Sequence, residues 1–121
     1  MKLVRLQESL NLINNIDRYD SQYTGMINKY VIVRSYASGV HFGKLIYQNK
    51  KEAVLKESRR LWYWTPAEGA WLSSVSQHGI DYEESKIGES ITIHVTDTCE
   101  IILCSETAIK SIKGAKDYEP N

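Results

Sequence analysis

Residues 58–64 read S-R-R-L-W-Y-W, so two guanidinium groups and three large rings fall in consecutive positions. A guanidinium grips phosphate or carboxylate through paired, charge-assisted hydrogen bonds. An indole stacks on a nucleobase, worth about 1–3 kcal/mol per base. In an extended strand the side chains alternate. Arg60, Trp62 and Trp64 then share one face, and Arg59, Leu61 and Tyr63 share the other. With Leu61 and Tyr63 in the core, the first set forms an exposed cationic and aromatic ladder that suits a nucleotide. The competing arrangement buries both tryptophans under the following helix and ties Arg60 to a nearby acid.

Other residues could complete such a site. Arg34 in V-I-V-R-S-Y follows three apolar residues, so it sits either at an edge or in an ion pair with the acidic block described below. Tyr36 offers a second stacking ring. In S-G-V-H-F-G (38–43), Gly39 allows close backbone approach and His41 supplies a donor. The expected ligand site is Arg34, Tyr36, Gly39, His41, Arg60, Trp62 and Trp64, with arginines on phosphate and rings on the base. No phosphate-binding loop or dinucleotide fingerprint is present. His41, His78 and His94 lack cysteine or carboxylate partners at ligand spacing, which argues against a metal site. No serine or cysteine sits in a nucleophile elbow or triad context. No catalytic residue and no cofactor is therefore assigned, and a binding protein is expected rather than an enzyme.

The balance of charge limits the partners. The chain of 121 residues carries 15 Lys+Arg and 15 Asp+Glu. A net charge of zero argues against direct binding of DNA or RNA. The distribution is uneven. Residues 44–60 hold six basic against two acidic residues, and 81–106 hold seven acidic against one basic. No stretch approaches the roughly 18–20 apolar residues that cross a bilayer, and the N-terminus lacks the apolar region of a secretory signal. Cys99 and Cys104 lie in one apparent strand, about 16 Å apart, too far to bridge. They suggest buried thiols in a reducing, cytoplasmic compartment.

The positioning elements follow from periodicity. Leu3, Leu6, Leu10, Ile13 and Ile16 recur at helical spacing, marking an amphipathic helix that either packs on the domain or mediates self-association. Residues 30–36 and 40–47 predict two strands around a three-residue loop with Gly39 at its left-handed position, and Gly43 suggests a bulge. Residues 52–56 and 59–64 predict strands three and four, separated by Glu57-Ser58. Thr65-Pro66-Ala67-Glu68 carries the signals of a helix start, with Ala67, Ala70, Trp71, Val75 and His78 along one side and Gly79 as the stop. Residues 90–95 and 100–104 predict two more strands, and Ser105 caps a short helix ending at Gly114. The expected class is α+β: an antiparallel sheet of about five to six strands with an N-terminal amphipathic helix, a helix after the fourth strand and a short C-terminal helix. The expected divisions are a helix and linker over 1–25, one domain over 26–115 and a polar tail over 116–121.

V-R-S-Y-A-S-G-V-H-F-G-K-L (33–45), R-R-L-W-Y-W (59–64), the helix ending in H-G-I (78–80) and E-I-I-L-C (100–104) together resemble a family of small uncharacterised bacteriophage proteins. The likeness spans roughly residues 30–105 and departs at T-P-A-E-G-A (65–70), where this chain is longer. It implies a phage origin and action in the host bacterial cytoplasm, and it transfers no catalytic residue. Small phage accessory proteins often work by stoichiometric binding, and one class traps nucleotide signals of host immunity. By that analogy of setting, the first functional expectation is an anti-defence protein. It would sequester a cyclic nucleotide or ADP-ribose type of ligand, commonly in a pocket between subunits of a homo-oligomer. The alternative is a protein–protein interaction module acting on a host factor or in particle assembly, with the exposed rings as hot spots.

Overall fold

The computed structural model describes residues 25–120. The helix expected over residues 3–16 lies outside them. Six strands are present: β1 (Tyr30–Ser35), β2 (Gly39–Asn49), β3 (Glu52–Tyr63), β4 (Lys86–Ile87), β5 (Ile91–Val95) and β6 (Thr98–Leu103). Two helices, α1 (Leu72–His78) and α2 (Glu106–Lys113), complete the described elements. All strand pairs are antiparallel, in the order β4-β3-β2-β1-β6, with β5 pairing the first half of β3. None of the described helices is long and apolar enough to cross a membrane.

The two strands expected over 52–56 and 59–64 are one. Glu57 takes a φ of 51° and the β2–β3 register shifts between Phe42 and Lys44, so a bulge carries the strand through instead of ending it. Side chains hold the bulge in place. The Tyr30 hydroxyl donates to Glu57 at 2.7 Å, and Lys113 stands 3.3 Å from the same carboxylate. These contacts, the hydroxyl first, keep the Glu57 carboxyl below its usual range. Across the bulge Gly43 is required, because a Cβ there would sit 2.9 Å from Leu55 Cβ and 3.1 Å from the Ser58 Cα.

The bulge also bends the β2–β3 hairpin. Thr98 pairs with Ser35 at the end of β1, and its N–H donates to Lys51 O at the hairpin tip, 2.9 Å away. The tip has therefore folded back across the sheet. β5 and β6 lie on opposite edges but are joined only by Thr96 and Asp97, a span of about 11 Å at most. The sheet is thus curled toward closure. This gives two cores. Ile32, Phe42, Leu61, Val75, Ile80, Ile87, Ala108 and Ile112 fill the space under the helices. Val31, Val33, Leu45, Ala53, Leu55 and Val95 fill the inside of the curl. Val31, Ile32 and Val33 are all fully buried because β1 has a neighbour on each edge and a core on each face.

The segment 65–71 is not helical. Ala67 N–H bonds to Gly79 O and Asp81 N–H to Thr65 O, closing a loop, and Gly69 takes a φ of 88°. Helix α1 starts only after Trp71, which is exposed with Ala67, Ala70 and His78; of the expected stripe only Val75 is buried. Gly79 does end it, with a φ of 84°, where a Cβ would collide with Ser111. Helix α2 begins as expected, with Ser105 Oγ accepting from Ala108 N–H at 3.1 Å. The same hydroxyl donates to Gln77 O at 2.7 Å and joins the two helices. Of the cysteines, Cys104 is buried but Cys99 is exposed, because β6 is an edge strand.

Candidate functional site

The two arginines of the heptapeptide face opposite sides of β3. Arg59 is enclosed. Its Nε–H donates to Gly88 O at 2.9 Å, and Nη1 to Ile112 O at 2.9 Å and Ala115 O at 2.6 Å. Nη2 meets Asp117 at 2.6 Å. One side chain thus ties β3 to the segment after β4, to the carbonyl end of α2 and to residues 115–117. A cation there also complements the negative end of the helix. The sequence offered no signal for this, because Asp117 lies in the stretch read as a polar tail. That stretch instead runs beside β4, with Ile87 bridging Asp117 and Tyr118 N–H donating to Ile87 O at 2.8 Å.

Arg60 differs. It is half-buried, its guanidinium carbon lies 5.1 Å from the Trp62 ring centroid, and no carboxylate pairs with it among the described residues. Trp62 is 62% exposed. Alternation fails at the next step, where the β3–β4 register shifts between Leu61 and Tyr63. Tyr63 was expected in the core but is 65% exposed. Trp64 was expected on the ladder but turns inward against the helix-side core. The ladder is therefore Arg60 and Trp62, joined sideways by Tyr63.

Two grooves flank Trp62. The larger, about 720 Å³, is lined by Arg60, Trp62, Glu89, Tyr118 and Glu119 among others. The smaller, about 360 Å³, is lined by Trp62, Tyr63, Lys86, Tyr118 and Pro120 with Gly88. Lys86 Nζ stands 4.7 Å from the Tyr63 ring centroid and 5.0 Å from that of Tyr118. Each of these cations lies over an aromatic face, a contact worth about 0.5–1 kcal/mol when exposed.

The remaining candidates are dispersed. Arg34 is exposed and its Nε–H meets Glu100, its cross-strand neighbour, at 2.7 Å. It sits on the face of the sheet opposite Arg60, since Val33, His41 and Arg60 are in register. Tyr36 is 89% exposed beyond the end of β1. Gly39, with a φ of 88°, opens β2 as expected of the hairpin. His41 is fully buried and offers no donor to an outside ligand. Arg60 and Trp62 are brought together; Arg34, Tyr36, His41 and Trp64 do not join them.

His41 instead ends a polar chain. The Ser35 hydroxyl donates to Asp97, whose other oxygen accepts from Ala37 N–H at 2.7 Å. Ser38 Oγ lies 2.9 Å from Ser35 Oγ and 2.8 Å from His41 Nε2. A serine beside an imidazole is the nucleophile and base of a triad, but no acid orients the imidazole among the described residues. His41 Nδ1 has no partner among the described residues, and Asp97 is committed to Ser35 and Ala37. Burial first, then the Arg60 charge, pushes the imidazole down to about 4, too weak a base to activate a hydroxyl near neutrality. The chain anchors the β1–β2 hairpin to the β5–β6 connection.

Residues 28–112 match the family described as Domain of unknown function (DUF6948). The chain belongs to that family. No curated protein and no solved structure matches it. The DUF6948 region contains Arg60, Trp62, Lys86 and Glu89. It ends before Asp117, Tyr118 and Glu119, which complete the two grooves from the C-terminal side.

Proposed function

We propose that the protein binds a small, flat, anionic ligand of nucleotide type in the Arg60–Trp62 groove and holds it without covalent chemistry. In the phage setting that the sequence resembles, such binding would sequester a nucleotide-derived immune signal in the host cytoplasm. The observation that carries this reading is an exposed indole on β3 beside a guanidinium that forms no ion pair among the described residues. The base stacks on Trp62 and a phosphate meets Arg60. Glu89 and Glu119, on the groove wall, accept from base amino groups or ribose hydroxyls. A second reading, a protein-docking module, draws support from Tyr63 and Tyr118. They extend the aromatic surface well past what one base covers.

The test is calorimetric titration with cyclic nucleotides and ADP-ribose, followed by recovery of the ligand after heat denaturation. Intact ligand, and loss of binding in Arg60→Ala and Trp62→Ala proteins that still fold and unfold cooperatively, is the expected result. Loss of stacking alone lowers affinity roughly 5- to 150-fold, from about 1–3 kcal/mol. A chemically altered ligand would make the protein an enzyme. Absence of binding at large excess would leave the docking module.

A further inference from the structure

We infer that the Trp62 face is the contact surface of a two-fold dimer of this chain. The two grooves share a ridge made of Trp62, Gly88, Tyr118 and Pro120. On one side of the ridge stand the carboxylates of Glu89 and Glu119, and neither has a cation partner among the described residues. On the other side stands Lys86, which lies over the Tyr63 and Tyr118 rings and has no acid partner among the described residues. Asp117 adds nothing free, because Arg59 neutralises it.

A two-fold contact brings a patch against itself, so the patch must complement itself. An axis through the ridge meets that condition. It sets Lys86 of each copy against the Glu89–Glu119 side of the other, with the rings packed between. Aromatic centre and charged rim are the usual anatomy of a protein interface. Arg60 also lines the acidic side, but the two glutamates outnumber it, so a second copy offers each flank the opposite net charge, whereas a partner of a single sign would meet its like on one flank. Trp62 and Tyr63 also support a partner, because consecutive strand residues seldom both turn large rings to water.

The pairing does not require a ligand, but it would complete the groove. In one chain the Arg60 groove is open and carries more acid than base on its walls. A second copy roofs it and delivers a Lys86 to the acidic side, where an anion needs it.

Sedimentation equilibrium of the full chain across the micromolar range tests the proposal. A mass of two chains is expected. Trp62→Glu should leave a monomer. Lys86→Glu alone, and Glu89→Lys with Glu119→Lys, should each weaken the dimer about tenfold or more. All three exchanges together should restore it, and Lys50→Glu at the distant hairpin tip should change nothing. A parent protein that stays monomeric, a Trp62→Glu dimer, or a triple exchange that fails to restore pairing would overturn it. Nucleotide titrations of the same proteins separate the two proposals. A parent protein that is monomeric yet binds nucleotide ends the dimer alone, and a parent dimer that binds none ends the ligand reading alone.

Discussion

Arg59 and Arg60 are neighbours in sequence and opposites in environment. The first makes four hydrogen bonds shorter than 3 Å to three carbonyls and a carboxylate, and is almost wholly enclosed. The second stacks on an exposed ring beside an open groove. The strand has one face that fastens the helices, the segment after β4 and the C-terminal residues together, and another that presents charge and aromatic surface outward. A reader of R-R-L-W-Y-W who treats the arginines as equivalent assigns both to function or both to structure. The fold divides them.

That division is sharpest in stability. Arg59→Ala leaves buried carbonyls unpaired, while the half-exposed Asp117 regains water, and should cost about 2–4 kcal/mol in urea unfolding. Arg60→Ala should stay within about 0.5 kcal/mol of the parent while losing ligand affinity. Equal costs for the two would erase the contrast.

Acid should reach the curled side next. The His41 imidazole is held down at about 4, below its free value of about 6.5. The unfolded chain therefore binds more protons between those values, and stability falls as pH drops from about 6.5 through 4. The loss is about 2–3 kcal/mol, from 1.36 kcal/mol per pKa unit with some allowance for relaxation. Asp97 and Arg60 are the charges that act on this ring. His41→Gln should flatten the stability curve in that window, which thermal melts across pH would reveal. A parent curve already flat there would contradict the assignment.

Adjacent tryptophan substitutions refine the comparison further. Trp64→Ala, against the helix-side core, should destabilise by about 2–3 kcal/mol, less than a fully buried ring, while Trp62→Ala should shift the melting temperature only through the lost dimer contact, an effect that fades on dilution. The smallest effect belongs to Arg34→Ala. Its pair with Glu100 is solvent-exposed, and water and salt screen such pairs until they contribute little. A loss of nucleotide binding in that variant would restore Arg34 to the site.

Much of the frame was legible because its signals are local. Gly39 needs its positive φ, Gly79 ends a helix, and Ser105 caps one, each recognisable from the residue and its neighbours. The misses have non-local causes. Nothing in Glu57 announces a left-handed backbone; Tyr30 and Lys113, far away in the chain, hold it there, so one strand reads as two. The T-P-A-E motif is a sound helix start by local rules, but backbone bonds from 65–67 to 79–81 and the turn at Gly69 override it. Asp117 could be recognised as Arg59's partner only with the tail already folded beside β4. Within the candidate site, the sequence correctly paired Arg60 with Trp62. It could not see the register shift that exchanges Tyr63 and Trp64.

The two-residue connection between β5 and β6 has a consequence for how the chain is made. During synthesis β1, β2 and β3 leave the ribosome ahead of the other described strands, with none of those strands yet on the outer edges of the meander. Among the described residues β4 covers only the end of β3; the rest of that edge and the free edge of β1 wait for residues 91–103, which reach both from the Thr96–Asp97 connection. Pairings so distant in sequence slow folding and prolong the exposure of sticky edges. A truncation just upstream of Ile91 should therefore leave a nascent protein that aggregates or engages chaperones instead of a smaller stable domain.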